Sequence, residues 1–176
     1  SSGAPHRRAR KLLSPPFAGA AMRAHGPAMV AAARAQLARL GPGSRLTGLE
    51  LGRSISLGVI IRVVFGVQEP ERIATFERAV SELVDHLPAA CLFFRALQRS
   101  WIPAWGRFLK RFAVIERLLD EQIERARREG AAGGSILVQL IAARDEEGRA
   151  LDDAEVRAQL LTLLLAGHET SAITLA

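Results

Sequence analysis

Apolar residues recur three and four apart over long windows, and Gly or Pro clusters interrupt them only at wide intervals. That period matches one face of an α-helix and leaves little room for strands. The punctuation predicts helices at about 5–14, stopped by Ser14-Pro15-Pro16, at about 18–40, stopped by Gly41-Pro42-Gly43, and at about 46–65. The third is apolar nearly all round, which marks a helix buried inside a large protein. A fourth is expected at about 70–86, then an irregular apolar stretch from Leu87 to Ile102. Pro103 suits the first turn of a long amphipathic helix running to about Glu129, before Gly130 and Gly133-Gly134. Ser135 opens a shorter helix to about Asp145, and Asp152 with Glu155 forms a capping-box start for a final one. The fold class is therefore all-α, with helices of unequal length and no internal repeat.

Apolar residues make up 49% of the 176, enough for a core. The charge of +6 is spread mostly as Arg along helical faces, and its one dense run, His6 to Lys11, is short. Cys91 is the only cysteine, which excludes a disulfide framework or multi-cysteine metal site and fits a reducing cytoplasm. No stretch reaches the roughly 20 apolar residues of a membrane span. A DNA-binding regulator would need a second helix fit for the major groove, but Ser14-Pro15-Pro16 cuts the basic helix off from an Ala-rich successor; no nucleic-acid partner is expected. The start at Ser1-Ser2-Gly3 and the stop at Ala176 in mid-pattern lead us to expect an internal segment, one partial domain over 1–176.

The final helix carries Gly167, His168, Glu169, Thr170 and Ser171 in an apolar setting. Burying an acid and hydroxyls costs free energy unless each finds a partner. Thr162, Leu163, Ala166 and Thr170 share roughly one stripe, with Glu169 beside it. Small residues at 166 and 167 let a bulky group approach the backbone. The alternative is that Thr170 bonds back to the Ala166 carbonyl while His168 and Glu169 face solvent or a partner. A His-Glu-x-x-His zinc site is excluded, because position 172 is Ala172. A purely structural helix would leave the cluster unexplained.

Ala166-Gly167-His168-Glu169-Thr170-Ser171 resembles the (Ala/Gly)-Gly-x-(Asp/Glu)-Thr-(Thr/Ser) motif of the cytochrome P-450 haem-thiolate monooxygenases, carried by their long distal I helix. The run His6 to Phe17 resembles the family's C helix, where an aromatic residue or His and an Arg four residues later hold a haem propionate; here these are His6 and Arg10. The helices between resemble the D to H order, with Leu51–Val67 like the buried E helix and Leu87–Ile102 like the F–G cover. The resemblance covers essentially the whole chain, as the N-terminal and central part of an incomplete P-450 fold of the bacterial soluble type.

It implies a parent enzyme that uses haem iron and dioxygen to hydroxylate or epoxidise a lipophilic substrate. Electrons would come from NAD(P)H through a ferredoxin or flavin redox partner docking near Arg7, Arg8 and Lys11. Thr170 would hydrogen-bond the activated dioxygen and Glu169 would relay protons to it. Ala166 and Gly167 would leave room at the haem face, and Thr162 and Leu165 would line the substrate pocket. Cys91 does not match the family's Phe-x-x-Gly-x-(His/Arg)-x-Cys-x-Gly ligand loop, so the iron ligand is expected beyond residue 176 and no residue here is assigned to a metal. The segment alone is then expected to be inactive and to expose apolar surface of its final helix and of Leu51–Val67.

Overall fold

The computed structural model describes residues 12–87, 102–130 and 134–176. Among these, after a 3-10 turn at Pro15–Phe17, run α1 (Gly19–Leu37), α2 (Gly48–Val59), α3 (Pro70–Asp85), α4 (Pro103–Glu129), α5 (Ile136–Ala142) and α6 (Asp153–Leu175). No strand occurs among the described residues.

Local chemistry sets most of the boundaries. Thr47 and Glu50 close a reciprocal capping box on α2, with Glu50 N donating to Thr47 Oγ1 at 3.2 Å and Thr47 N donating to Glu50 Oε2 at 2.7 Å. Asp152 and Glu155 do the same for α6, at 2.8 and 3.0 Å. Pro70 and Pro103 stand where the first helical N–H has no partner to lose. Gly130, at φ 70° and ψ −163°, takes a positive-φ conformation open essentially to glycine where α4 ends. Pro27 sits inside α1, where Gly26 before it has no Cβ to crowd the ring.

Two boundaries depart from expectation. The predicted helix at 46–65 is α2 followed by a π-helical turn over Ile60–Val64, closed by Phe65 N donating to Ile60 O at 3.0 Å. The wider turn eases a β-branched run and turns Ile60, Ile61, Val63 and Val64 all inward. α5 stops at Ala142, short of Asp145. Arg144 Nη1 donates to the carbonyls of Ile141, Ala142 and Ala143, and Asp145 Oδ1 accepts from the amides of Glu147 and Arg149, which makes a turn of what the pattern suggested was helix.

Phe65 and Phe76, with ring centroids 5.5 Å apart, anchor one continuous core with Ile115, Leu119, Leu140, Leu160 and Leu164. Leu51–Val67 was expected to expose apolar surface; instead Leu57, Ile60, Ile61, Val63, Val64, Phe65 and Val67 are all buried. α1 and α6, with smaller contributions from α3 and α5, cover that segment within the chain itself. Against α2, α6 comes close enough that a Cβ on Gly52 would lie 2.6 Å from the Ala172 carbonyl oxygen.

Candidate functional site

Each residue of a helix advances about 100°, so α6 presents distinct faces. Val156, Leu160, Leu164, His168 and Ala172, four apart, form its buried face. Thr162, Leu165, Ala166, Thr170 and Ile173 are exposed on the other side, with Leu165 at 54% and Ile173 at 66%. Gly167 and Glu169 are half-buried on the flanks.

Of the predicted site residues, Thr162, Leu165, Ala166 and Thr170 thus share one open, largely apolar face. Thr170 Oγ1 donates to Ala166 O at 2.5 Å and Thr162 Oγ1 donates to Ala158 O at 2.8 Å, so both hydroxyls bond back along the helix. Gly167 turns toward α2: Ser56 Oγ donates to its carbonyl at 3.2 Å, and a Cβ there would meet Ile60 Cδ1 at 3.5 Å. His6, Arg10, Arg7, Arg8, Lys11 and Cys91 lie outside the described residues.

Two functional features escape sequence reasoning. His168 is buried, at 6% exposure, and burial pushes its pKa below the ordinary 6.5; Glu169 opposes that shift and Arg53 adds to it. The signal was present in the four-residue spacing of Leu160, Leu164 and His168. The second feature is Arg53, whose Nη2 donates to Glu169 Oε2 at 3.0 Å. Both side chains are more than a third exposed, at 39% and 37%, so the pair orients the carboxylate more than it stabilises the fold, within about 0–1 kcal/mol. Only the weak hint of an Arg on an apolar helix pointed to it.

The arrangement can hold a flat apolar group against the open face, with a hydroxyl at its centre and an oriented acid at its edge. A cavity of about 720 Å³, bounded by α1, the Gly66 turn and the ends of α4 and α5, is lined by none of these α6 residues. No cluster of three metal-ligating side chains occurs among the described residues. No helix among them is long and apolar enough to cross a membrane.

A family model described as cytochrome P-450 matches residues 1–176. A Mycobacterium tuberculosis protein designated cytochrome P-450 135A1 is 34% identical over 98% of this chain and 39% of its own length. Cyclooctat-9-en-7-ol 5-monooxygenase of Streptomyces melanosporofaciens is 31% identical over 100% of this chain and 39% of its own. The chain therefore spans about two fifths of the relatives it matches. Among solved structures, substrate-free CYP109E1 from Bacillus megaterium superposes with a TM-score of 0.76 at 22% identity, over 96% of this chain and 41% of that one.

Proposed function

We propose, from the premise that this chain belongs to the cytochrome P-450 family, that it forms the distal wall of a monooxygenase centre. Family membership implies a haem cofactor. When bound, that group supplies the redox chemistry by which dioxygen is activated and one oxygen atom is inserted into a C–H or C=C bond.

The described residues fit such a group. The open α6 face is apolar at Leu165 and Ile173 and small at Ala166, as the face of a planar macrocycle requires. Outside the described residues, His6 and Arg10 would hold a propionate, Arg being suited to bidentate pairing with a carboxylate. Cys91 takes no part, and the thiolate ligand would come from the rest of the protein.

The observation that carries the reading is the relation of Thr170 to Glu169. Thr170 stands at the middle of the open face with its hydroxyl proton committed to Ala166 O, so its oxygen is ready to accept and pass on a proton. Glu169 sits about 100° around the helix, oriented by Arg53 through Oε2. In that arrangement acid and alcohol act in sequence along one proton path, a general-acid device worth about 10²–10⁴-fold.

The substrate is lipophilic, in keeping with the cyclic hydrocarbon alcohol in the name of the Streptomyces relative. Thr162 and Leu165 line its pocket. A ferredoxin or flavin protein delivers NAD(P)H electrons at the basic run that contains Arg7, Arg8 and Lys11, where long-range attraction would steer an acidic partner. The test is Thr170→Ala in the full-length, haem-loaded protein. Haem content and substrate binding should persist while electrons drain into hydrogen peroxide instead of product. Unchanged product yield per electron would remove Thr170 from the path.

A further inference from the structure

His168 has no part in the reading above, yet it is a buried titratable group facing a second cavity. That cavity, about 360 Å³, lies between Arg39 beyond α1, Glu50, Arg53, Ser54 and Leu57 of α2, and Glu77, Ser81, Val84 and Asp85 of α3, with His168 from α6. It is half open at exposed Arg39, Glu50 and Asp85 and polar over much of its wall. Gln36 Nε2 and Arg39 Nη1 both donate to the Glu77 carboxylate at 2.7 Å, and Ser54 Oγ donates to Gln36 Oε1 at 2.9 Å.

Two residues of its lining, His168 and Arg53, and Glu169 next to His168 each carry a buried polar atom with no hydrogen-bond partner among the described residues: His168 Nδ1, Arg53 Nε and Glu169 Oε1. Buried polar atoms are nearly always partnered, by protein or by ordered water. Glu169 adjoins both of the other residues. Arg53 holds Glu169 by Oε2 and leaves Oε1 free, and His168 Nε2 lies 3.9 Å from that Oε1. His168 and Thr170, two residues apart, point to nearly opposite sides of α6, with Glu169 between them.

We infer that the cavity is a water-filled proton inlet and that His168 passes protons from it to Glu169. This rests on the role given to Glu169 above and supplies the source of its protons, on the side of α6 away from the substrate. In balance, a hydronium ion in the cavity protonates Nδ1 and leaves water as Nε2 gives its proton to Glu169 Oε1; the Nδ1–H ring then regains its starting tautomer by losing that proton to water and taking one from water at Nε2. His168 is a positioning residue, acting only through the acid. The charged groups facing it are Arg53 and Glu50 on α2, Glu77 and Asp85 on α3, Arg39 beyond α1 and Glu169 on its own helix.

The experiment uses the haem-loaded full-length protein as His168→Gln and Glu169→Gln, with product per electron followed from pH 5 to 8. Expected is a loss of coupled turnover of about 10²-fold in His168→Gln, the lower end for a positioned acid, with disappearance of the acid-side inflection and a larger solvent deuterium effect. If Glu169→Gln uncouples but His168→Gln keeps the parent's pH profile, the inlet is overturned and the function above stands. If Glu169→Gln stays coupled, both fall. A second measurement needs no turnover: histidine ¹⁵N spectra of the diamagnetic reduced, CO-bound protein. The His168 N–H should exchange rapidly with solvent, and Glu169→Gln should lower the ring's pKa further. Slow exchange would mean a dry packing contact and end the proposal.

Discussion

Gly52→Ala tests the placement of α6 directly. A Cβ at position 52 would sit 2.6 Å from the Ala172 carbonyl oxygen and 3.2 Å from the Ala172 carbonyl and α carbons, about 0.8 Å inside ordinary contact at 3.4 Å. All three atoms are backbone, so no rotamer change relieves the clash, and α6 must move as a body. In an exposed helix the exchange would gain about 1 kcal/mol from propensity. Overpacking a close helix contact costs about 1–3 kcal/mol, and the weakened Ser56–Gly167 bond adds to it, leaving a net loss of about 1–2 kcal/mol. Because Ala172 is less than one turn from Thr170, the same displacement disturbs the open face. The assay is urea denaturation of the full-length protein, read beside its haem absorption, with Gly41→Ala as control since nothing lies within 4 Å of a Cβ there. Equal or greater stability with unaltered absorption in Gly52→Ala would refute the close seating of α6 on α2.

Asp152→Ala removes the side-chain half of the α6 capping box and should cost about 1 kcal/mol in the same denaturation assay, with the haem spectrum retained because the cap lies far along the helix from Thr170. His168 should make the fold acid-sensitive. Its folded pKa is depressed, so below 6.5 the unfolded chain binds the proton more readily, and stability falls as pH drops from 6.5 toward the folded value. His168→Gln should flatten that part of a stability profile taken from pH 5 to 8; an unchanged slope would show that His168 is not buried as a neutral ring.

Helix limits were legible wherever a local device set them. Pro103 and Gly130 bracket α4 as the sequence indicates, and Asp152 with Glu155 starts α6. The π-helical turn at Ile60–Val64 was not legible, because apolar periodicity reports which side chains are buried and not which carbonyl each amide selects. α5 ends sooner than its pattern suggests for a similar reason, as Arg144 and Asp145 look helix-compatible until their side chains take the backbone groups. Within the cluster, the Thr170 bond to Ala166 was foreseeable from its four-residue reach. The Arg53–Glu169 pair joins residues 116 apart and exists only because the small side of α2 lets α6 come near.

The position of the acid follows from those two faces. A carboxylate at 168 would be desolvated among Leu164, Ala172 and the side chains of α2, a cost that no single partner reliably offsets. At 170 it would stand on the open apolar face, charged against whatever lies flat there. At 169 it is half-buried, close enough to Arg53 to be oriented and exposed enough that the pair costs little. That flank also lies between His168, which lines the cavity behind the helix, and Thr170 on the face in front of it. The apolar residues on two sides of α6 then have a plain cause: Leu160 and Leu164 meet the core, Leu165 and Ile173 belong to the open face, and the one acid of the cluster stands at the seam between them.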